Sequence, residues 1–213
     1  MQAVGAWLFI LGAILRLELH IVPSAPNARL RAAFEEQRRL ADHATQRASQ
    51  DELTELARRW RFDEELERQV ARADRHGTQA TLLLIDVDGL KQINDALGHQ
   101  AGDRILQHVA AAIRDHTRLT DFAARIGGDE FAVILVDAED ADASAAAARI
   151  IAAAAATATG IAPTSVSVGS APISCLLDPA DIMQRADLAL YSAKRRGGNC
   201  YAATTITMQQ PIA

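Results

Sequence analysis

Four carboxylates in two short stretches are the residues of this chain best suited to chemistry. Asp86 and Asp88 end the apolar run TLLLIDVD, and Asp129 and Glu130 stand side by side in ARIGGDEFAVIL, between two runs that read as strands. A plain hairpin needs permissive turn residues, not adjacent like charges at its tip. If the strands are neighbours the carboxylates converge, and clustered carboxylates that repel are usually reconciled by cations. Oxygen-only ligands suit Mg2+ or Mn2+, and Mg2+ binds through one or two carboxylates plus substrate phosphates. A paired-metal site of this kind clamps the attacking and leaving oxygens of a phosphoryl transfer. Gly127 and Gly128 let the backbone approach a ligand with no Cβ in the way. The bland alternative is a surface hairpin with solvated acids, and the second acidic cluster at residues 86–88 weighs against it.

The stretch DVDGLKQINDALGHQAGD, residues 86–103, mixes acids, amides, glycines and a lysine. Lys91 suits a phosphate, and Asn94 and Asp103 suit the donor and acceptor edges of a base. Their structural alternatives are a solvated lysine and helix N-caps, with Asp103 placed to cap a helix starting near Gly102.

These residues need a scaffold, and the hydrophobic pattern outlines one. Residues 61–75 read as a helix with Phe62, Leu66 and Val70 on one stripe. Residues 81–85 read as a buried strand, and 102–116 as a helix burying Ile105, Leu106, Val109 and Ile113. A strand near 123–126, the Gly127-Gly128 turn and a strand at 131–136 come next. Residues 140–157 form an alanine-rich helix, which helix propensity alone explains. TSVSVGSA reads as a strand. DPADIMQRADLALYSAKRR reads as a helix with Asp178 as N-cap and Pro179 in its first turn. A last short strand includes Tyr201. The alternation points to an α/β (α+β) layer, with helices covering a face of one sheet.

The bulk numbers set outer limits. The chain has 213 residues, 49% hydrophobic and 23% charged, with a net charge of −5. That is a globular composition. The negative balance argues against binding a nucleic-acid polymer, which relies on excess Lys and Arg. Cys175 and Cys200 form no CxxC pair and read as two reduced, buried thiols. Ala3 to Leu15 is a run of 13 residues without charge, short of the ~20 that span a bilayer. Two readings stay open for residues 1–22, a membrane anchor and a helix packed on protein. If the segment inserts, Arg29, Arg31, Arg38 and Arg39 place the residues after it on the cytoplasmic side. Pro23 and Pro26 break the first helix, and residues 27–50 read as a charged stalk or linker helix, either solvated alone or paired with its own copy.

Six motifs fall in one order: DELTEL at 51–56, DVDGLKQINDALGHQAGD at 86–103, RLTD at 118–121, RIGGDEF at 125–131, SVG at 167–169 and ADLALYSAK at 186–194. In this the chain resembles the GGDEF family of bacterial diguanylate cyclases. The resemblance implies a five-stranded sheet with surrounding helices, like a polymerase palm, over a catalytic domain at 51–205. A stalk at 23–50 precedes it, and a tail at 206–213 ends the chain. It implies that Asp86 and Asp129 hold two Mg2+ (or Mn2+) ions with the Val87 carbonyl, and that Glu130 supports them or acts as base. Asn94 and Asp103 match the guanine readers. Lys91 and Lys194 match phosphate contacts, as do the backbone amides of Gly89 and Leu90. Two domains, each holding one GTP, face each other as a homodimer and make cyclic di-GMP plus two pyrophosphates. Arg118 and Asp121 match an RxxD site for inhibitory product, and Arg149 stands where a further arginine is often supplied. The implied location is the bacterial cytoplasm, at the inner membrane if residues 1–22 insert.

The chain departs from the pattern at three places. Glu55 and Arg58 replace a Gly and an Asn, Leu90 replaces an aromatic, and Gly198 replaces a phosphate-touching arginine for which Arg195 or Arg196 is a candidate substitute. Rival readings are an idle module that senses GTP or cyclic di-GMP, a cyclase with a mixed product, and a structural stalk protein. Idle members lose a hairpin acid, and here none is lost. Asp103 argues against a mixed product.

Overall fold

The computed structural model describes residues 31–34, 36–37, 49–156 and 164–204. The apolar segment at 1–22, most of the stalk and the tail at 206–213 lie outside them. The chain divides into two compact units, Met1–Ala48 and Ser49–Ala213. In the first, residues 31–34 and 36–37 are helical, and the Phe34 side chain is exposed. Among the described residues no helix is long and apolar enough to cross a membrane.

The second unit runs β1 (Ala57–Arg58), α1 (Arg59–His76), β2 (Ala80–Val87), α2 (Leu90–Leu97), α3 (His99–Asp115), β3 (Phe122–Arg125), β4 (Glu130–Val136), α4 (Asp140–Ala155), β5 (Val166–Ile173), α5 (Pro179–Arg195) and β6 (Tyr201–Ala203). The strands form one sheet in the order β1-β3-β4-β2-β5-β6. Five strands were expected, and the sixth is β1, whose two residues are too few to show any alternation. It pairs parallel with β3, while β2 pairs antiparallel with β4 and β5.

Helices cover both faces of the sheet, not one. On one face Leu83, Ile85, Val87, Phe131 and Val133 pack with Ile105 and Val109 of α3 and Ile150 of α4. On the other, Leu82, Leu84 and Ile134 pack with Phe62 and Leu66 of α1 and with Ile182 and Leu190 of α5. That is why β2 is apolar without alternation: every one of its residues is buried. The sheet faces meet α5 so closely that a Cβ on Gly169 would lie 2.1 Å from the Leu190 backbone nitrogen. This explains the glycine of the SVG motif.

Two other expectations change. Residues 90–97 form a separate helix, and α3 begins at His99. Asp103 is thus inside α3, which excludes the N-cap reading. Cys175 is exposed and Cys200 partly so, both as free thiols, so neither is the buried cysteine expected. Asp178 does cap α5, accepting from the Asp181 backbone N–H at 2.8 Å.

Candidate active site

The acids end β2 because the apolar run stops where the sheet reaches solvent. Asp86 is the last charged position inside the strand and is buried. It pairs in register with Glu130 on β4 and Ser167 on β5. One residue on, the Val87 N–H donates to the Asp129 carbonyl at 3.1 Å. The strands carrying the two acidic clusters are therefore neighbours. Lys194, in the last turn of α5, places its Nζ 2.7 Å from Asp86 Oδ2. Burial pushes the Asp86 carboxyl above its ordinary value; Lys194 pulls it back, and the charges of Asp129 and Asp88 push it up again.

Asp88 has a different position. Its Oδ1 accepts from Ser167 Oγ at 2.7 Å, and its Oδ2 from Ser165 Oγ at 2.9 Å and the Asn199 N–H at 3.0 Å. The carboxylate thus ties the end of β2 to β5 and to the loop after α5. Gly198 in that loop has φ 74°, and a Cβ there would lie 3.0 Å from Asp88 Oδ2. The guanidinium of Arg195, one candidate substitute for the missing arginine, lies over the Tyr191 ring, 6.0 Å from its centroid.

The hairpin tip is held from behind. The Ile126 and Gly127 N–H groups both donate to the Glu130 carbonyl, at 2.9 and 3.2 Å. Arg125 donates through Nη2 to the Gly128 carbonyl at 2.7 Å and through Nη1 to Asp51 Oδ1 at 3.1 Å. Burial pushes the Asp51 carboxyl up, yet hydrogen bonds from Thr54 and Arg125 hold it below its ordinary value. Glu55, where the family pattern has Gly, keeps the left-handed turn at φ 60°. Its carboxylate receives Arg114 at 3.2 Å, so the departure leaves the turn intact.

Gly89, at φ 72°, opens α2, and buried Leu90 packs that helix into the core. Lys91 is exposed on the same helix. The Asn94 Oδ1 is buried with no partner. A Cβ on Gly102 would lie 2.0 Å from that atom, so the amide depends on Gly102 for its place. Exposed Asp103 follows Gly102 on α3. Away from these groups, one recess is lined by Arg118, Asp121, Arg149, His116 and Asp142.

Ser165, Ser167 and Asp51 were not singled out from the sequence. The two serines carry a signal, because they alternate with apolar residues and so share one face of the chain entering β5.

The donor set fits a hard divalent cation. Among the described residues no three His, Cys, Asp or Glu side chains cluster as a ready-made cage. Mg2+ needs only one or two carboxylates, with water and substrate oxygens completing its shell. The like charges around buried Asp86 have Lys194 as their near counter-charge.

The family model described as "Diguanylate cyclase, GGDEF domain" matches residues 48–200. The chain is 39% identical over 155 residues to diguanylate cyclase DosC of Escherichia coli, covering 70% of this chain and 34% of that protein. It is 41% identical over 169 residues to diguanylate cyclase TpbB of Pseudomonas aeruginosa, covering 75% of this chain and 39% of that protein. The match thus spans little more than a third of the length of these relatives. The crystal structure of the coiled coil and GGDEF domain of DgcB from Caulobacter crescentus in complex with c-di-GMP is similar, with a TM-score of 0.76 and 34% identity. That match covers 85% of this chain and 100% of the DgcB chain.

Proposed function

The chain belongs to the GGDEF domain family, and on that premise we propose that it condenses two GTP into cyclic di-GMP and two pyrophosphates. The observation that carries this reading is the pairing of β2 with β4, which brings buried Asp86 beside the hairpin that bears Asp129. DosC and TpbB are both called diguanylate cyclases, and the DgcB structure holds cyclic di-GMP.

Asp86, Asp129 and the Val87 carbonyl would hold Mg2+ or Mn2+, two ions per site. Such ions would supply positive charge against the phosphate oxygens of the transfer. Lys91, Lys194 and the Gly89 and Leu90 amides at the start of α2 hold the triphosphate. Asn94, with its unpaired acceptor, and Asp103 read the guanine edge. Glu130 either takes the 3′-hydroxyl proton or supports the carboxylates beside it. The new bond joins O3′ of one GTP to the α-phosphorus of the other; the bond to the β-phosphate oxygen breaks, and pyrophosphate leaves. Two such bonds require two copies face to face. We assign residues 23–50 to a stalk that pairs them, with exposed Phe34 on it, and 51–205 to the catalytic domain. The domain works in the cytoplasm, where GTP is available. Arg118, Asp121 and Arg149 bind the product as an inhibitor.

The test is incubation of the purified chain with GTP and Mg2+, followed by chromatography. Cyclic di-GMP and pyrophosphate in a ratio of one to two are expected, with specific activity rising with protein concentration. Unreacted GTP, with cyclic di-GMP bound but not made, would favour the sensing module instead.

A further inference from the structure

We infer that Asp88, although it belongs to the acidic cluster ending β2, is not a metal ligand but the positioning residue that sets Lys194 over Asp86. The inference rests on the proposal that Lys194 holds the triphosphate. The lysine ammonium lies 2.7 Å from Asp86 Oδ2, yet its side chain is 43% exposed. Packing alone therefore does not fix this long, rotamer-rich stem, and its backbone must be placed from elsewhere.

The end of α5 supplies that placement. The Gly197 N–H donates to the Lys194 carbonyl at 3.1 Å and the Gly198 N–H to the Ala193 carbonyl at 3.3 Å. The loop after the helix is thus stitched to the turn that carries the lysine. Gly197, Gly198 and Asn199 hold φ of 109°, 74° and 49°, a tight left-handed turn. From it the Asn199 N–H donates to Asp88 Oδ2 at 3.0 Å. Asp88 is itself held from β5 and the residues leading into it. Its carboxylate accepts from the Ser165 and Ser167 hydroxyls at 2.9 and 2.7 Å, and its N–H donates to the Ser165 carbonyl at 2.9 Å. One strand end therefore carries both Asp86, which meets the ammonium, and Asp88, which anchors the helix that brings it. Of the roughly four lone-pair sites of a carboxylate, protein donors take three here. A metal ligand would keep them for the ion, its waters and the substrate.

Calorimetry of the whole chain with Mg2+ and a GTP analogue, methylene-bridged between the α- and β-phosphorus, tests this. Lys194→Ala and Asp88→Ala should each raise Kd at least about tenfold, the worth of a hydrogen bond to a charged group. Because Asp88 acts through Lys194, the double variant should lose no more than either single one. Asp88→Asn can turn its amide so that the oxygen still accepts from Ser165 and Asn199 while the NH2 meets Ser167 Oγ. Its Kd should stay within about threefold of the parent's. If Asp88→Asn binds as weakly as Asp88→Ala, the charge itself is needed, as in a metal ligand, and the inference is overturned. Losses that multiply in the double variant overturn it too. A second readout is the side-chain ammonium signal in 15N NMR. Lys91 and Lys194 are the only lysines of the chain, and Lys91 is exposed, so a slowly exchanging ammonium belongs to Lys194. It should be seen in the parent and Asp88→Asn and vanish in Asp88→Ala; if it persists there, the inference fails. Should Asp88→Ala not fold, replacing Ser165 and Ser167 together by alanine frees the carboxylate and must weaken both binding and the signal, and parent-like values overturn the inference. If Lys194→Ala binds the analogue like the parent, the phosphate role of Lys194 falls, and the ammonium signal alone decides the role of Asp88.

Discussion

Asp129 contributes negative charge beside a carboxylate that burial already disfavours, so the fold gains little from it. Asp129→Ala should lower cyclic di-GMP synthesis at least about 100-fold, beyond the 10- to 100-fold typical for groups that only support metal ligands. Its melting temperature should be unchanged or higher, because a like charge near Asp86 is gone. Product assays and thermal melts check both, and parent-like turnover would remove Asp129 from the proposed metal site. Asn94 makes the complementary case, an acceptor buried without a partner. Leaving a base edge unpaired costs about 1–3 kcal/mol, roughly 5- to 150-fold. Asn94→Ala should therefore narrow the preference for GTP over ATP in competition binding by that range; unchanged discrimination would place the guanine elsewhere. Asp86, Asp129 and Asn94 could be picked out in the sequence because acids and amides beside apolar runs are conspicuous. The tie of Asp88 to Ser165 and Ser167 could not, since the partners lie 77 and 79 residues away. Only the register of β2 with β5 brings them together.

Helices α2 and α3 act as one element because Gly102 lets the Asn94 side chain lie against α3. Alanine at 102 raises helix propensity by up to about 1 kcal/mol, yet its Cβ would lie where the Asn94 oxygen now sits. Gly102→Ala should thus raise KM for GTP several-fold while the melting temperature holds or rises. An unchanged KM would mean that Asn94 does not touch substrate. The sequence pattern started α3 at Gly102 instead of His99 and missed α2, because eight residues give too few turns for a 3.6-residue period to stand out. The long helices were readable by different signals: α1 by its stripe of Phe62, Leu66 and Val70, α4 by alanine's helix propensity, and α5 by the Asp178 cap and Pro179 at its start. Coverage of the sheet on both faces was hinted at by the unbroken run in β2, but an unbroken run alone does not separate a buried strand from a buried helix.

At the scale of the molecule, Asp51 and Arg125 join the start of the domain to the carbonyl at the hairpin tip. Folding favours ionised Asp51, because its carboxyl is held below the ordinary value of 3.8. That contribution is present above the ordinary value and is lost as pH falls below it, through the folded value. Asp51→Asn should therefore melt below the parent at neutral pH, with the gap closing only in acid below about pH 4. A gap that does not change with pH would assign the loss to packing. Arg118→Ala, outside the proposed metal site, should keep the parent's initial rate and accumulate more product before stalling. Inhibition of the parent should be noncompetitive with GTP, and a purely competitive pattern would place the product in the active site. The sheet also ends in a particular way at its rims. β1 covers β3 with two residues, and β6 closes the far side with three. An uncovered rim offers unpaired N–H and C=O groups to any passing chain, the usual start of strand-to-strand aggregation. Two residues, one of them the cation Arg58, shield Ala124 and Arg125 of β3. A chain shortened past Arg58 should expose the Ala124–Arg125 rim and scatter light with concentration at temperatures where the full chain stays clear.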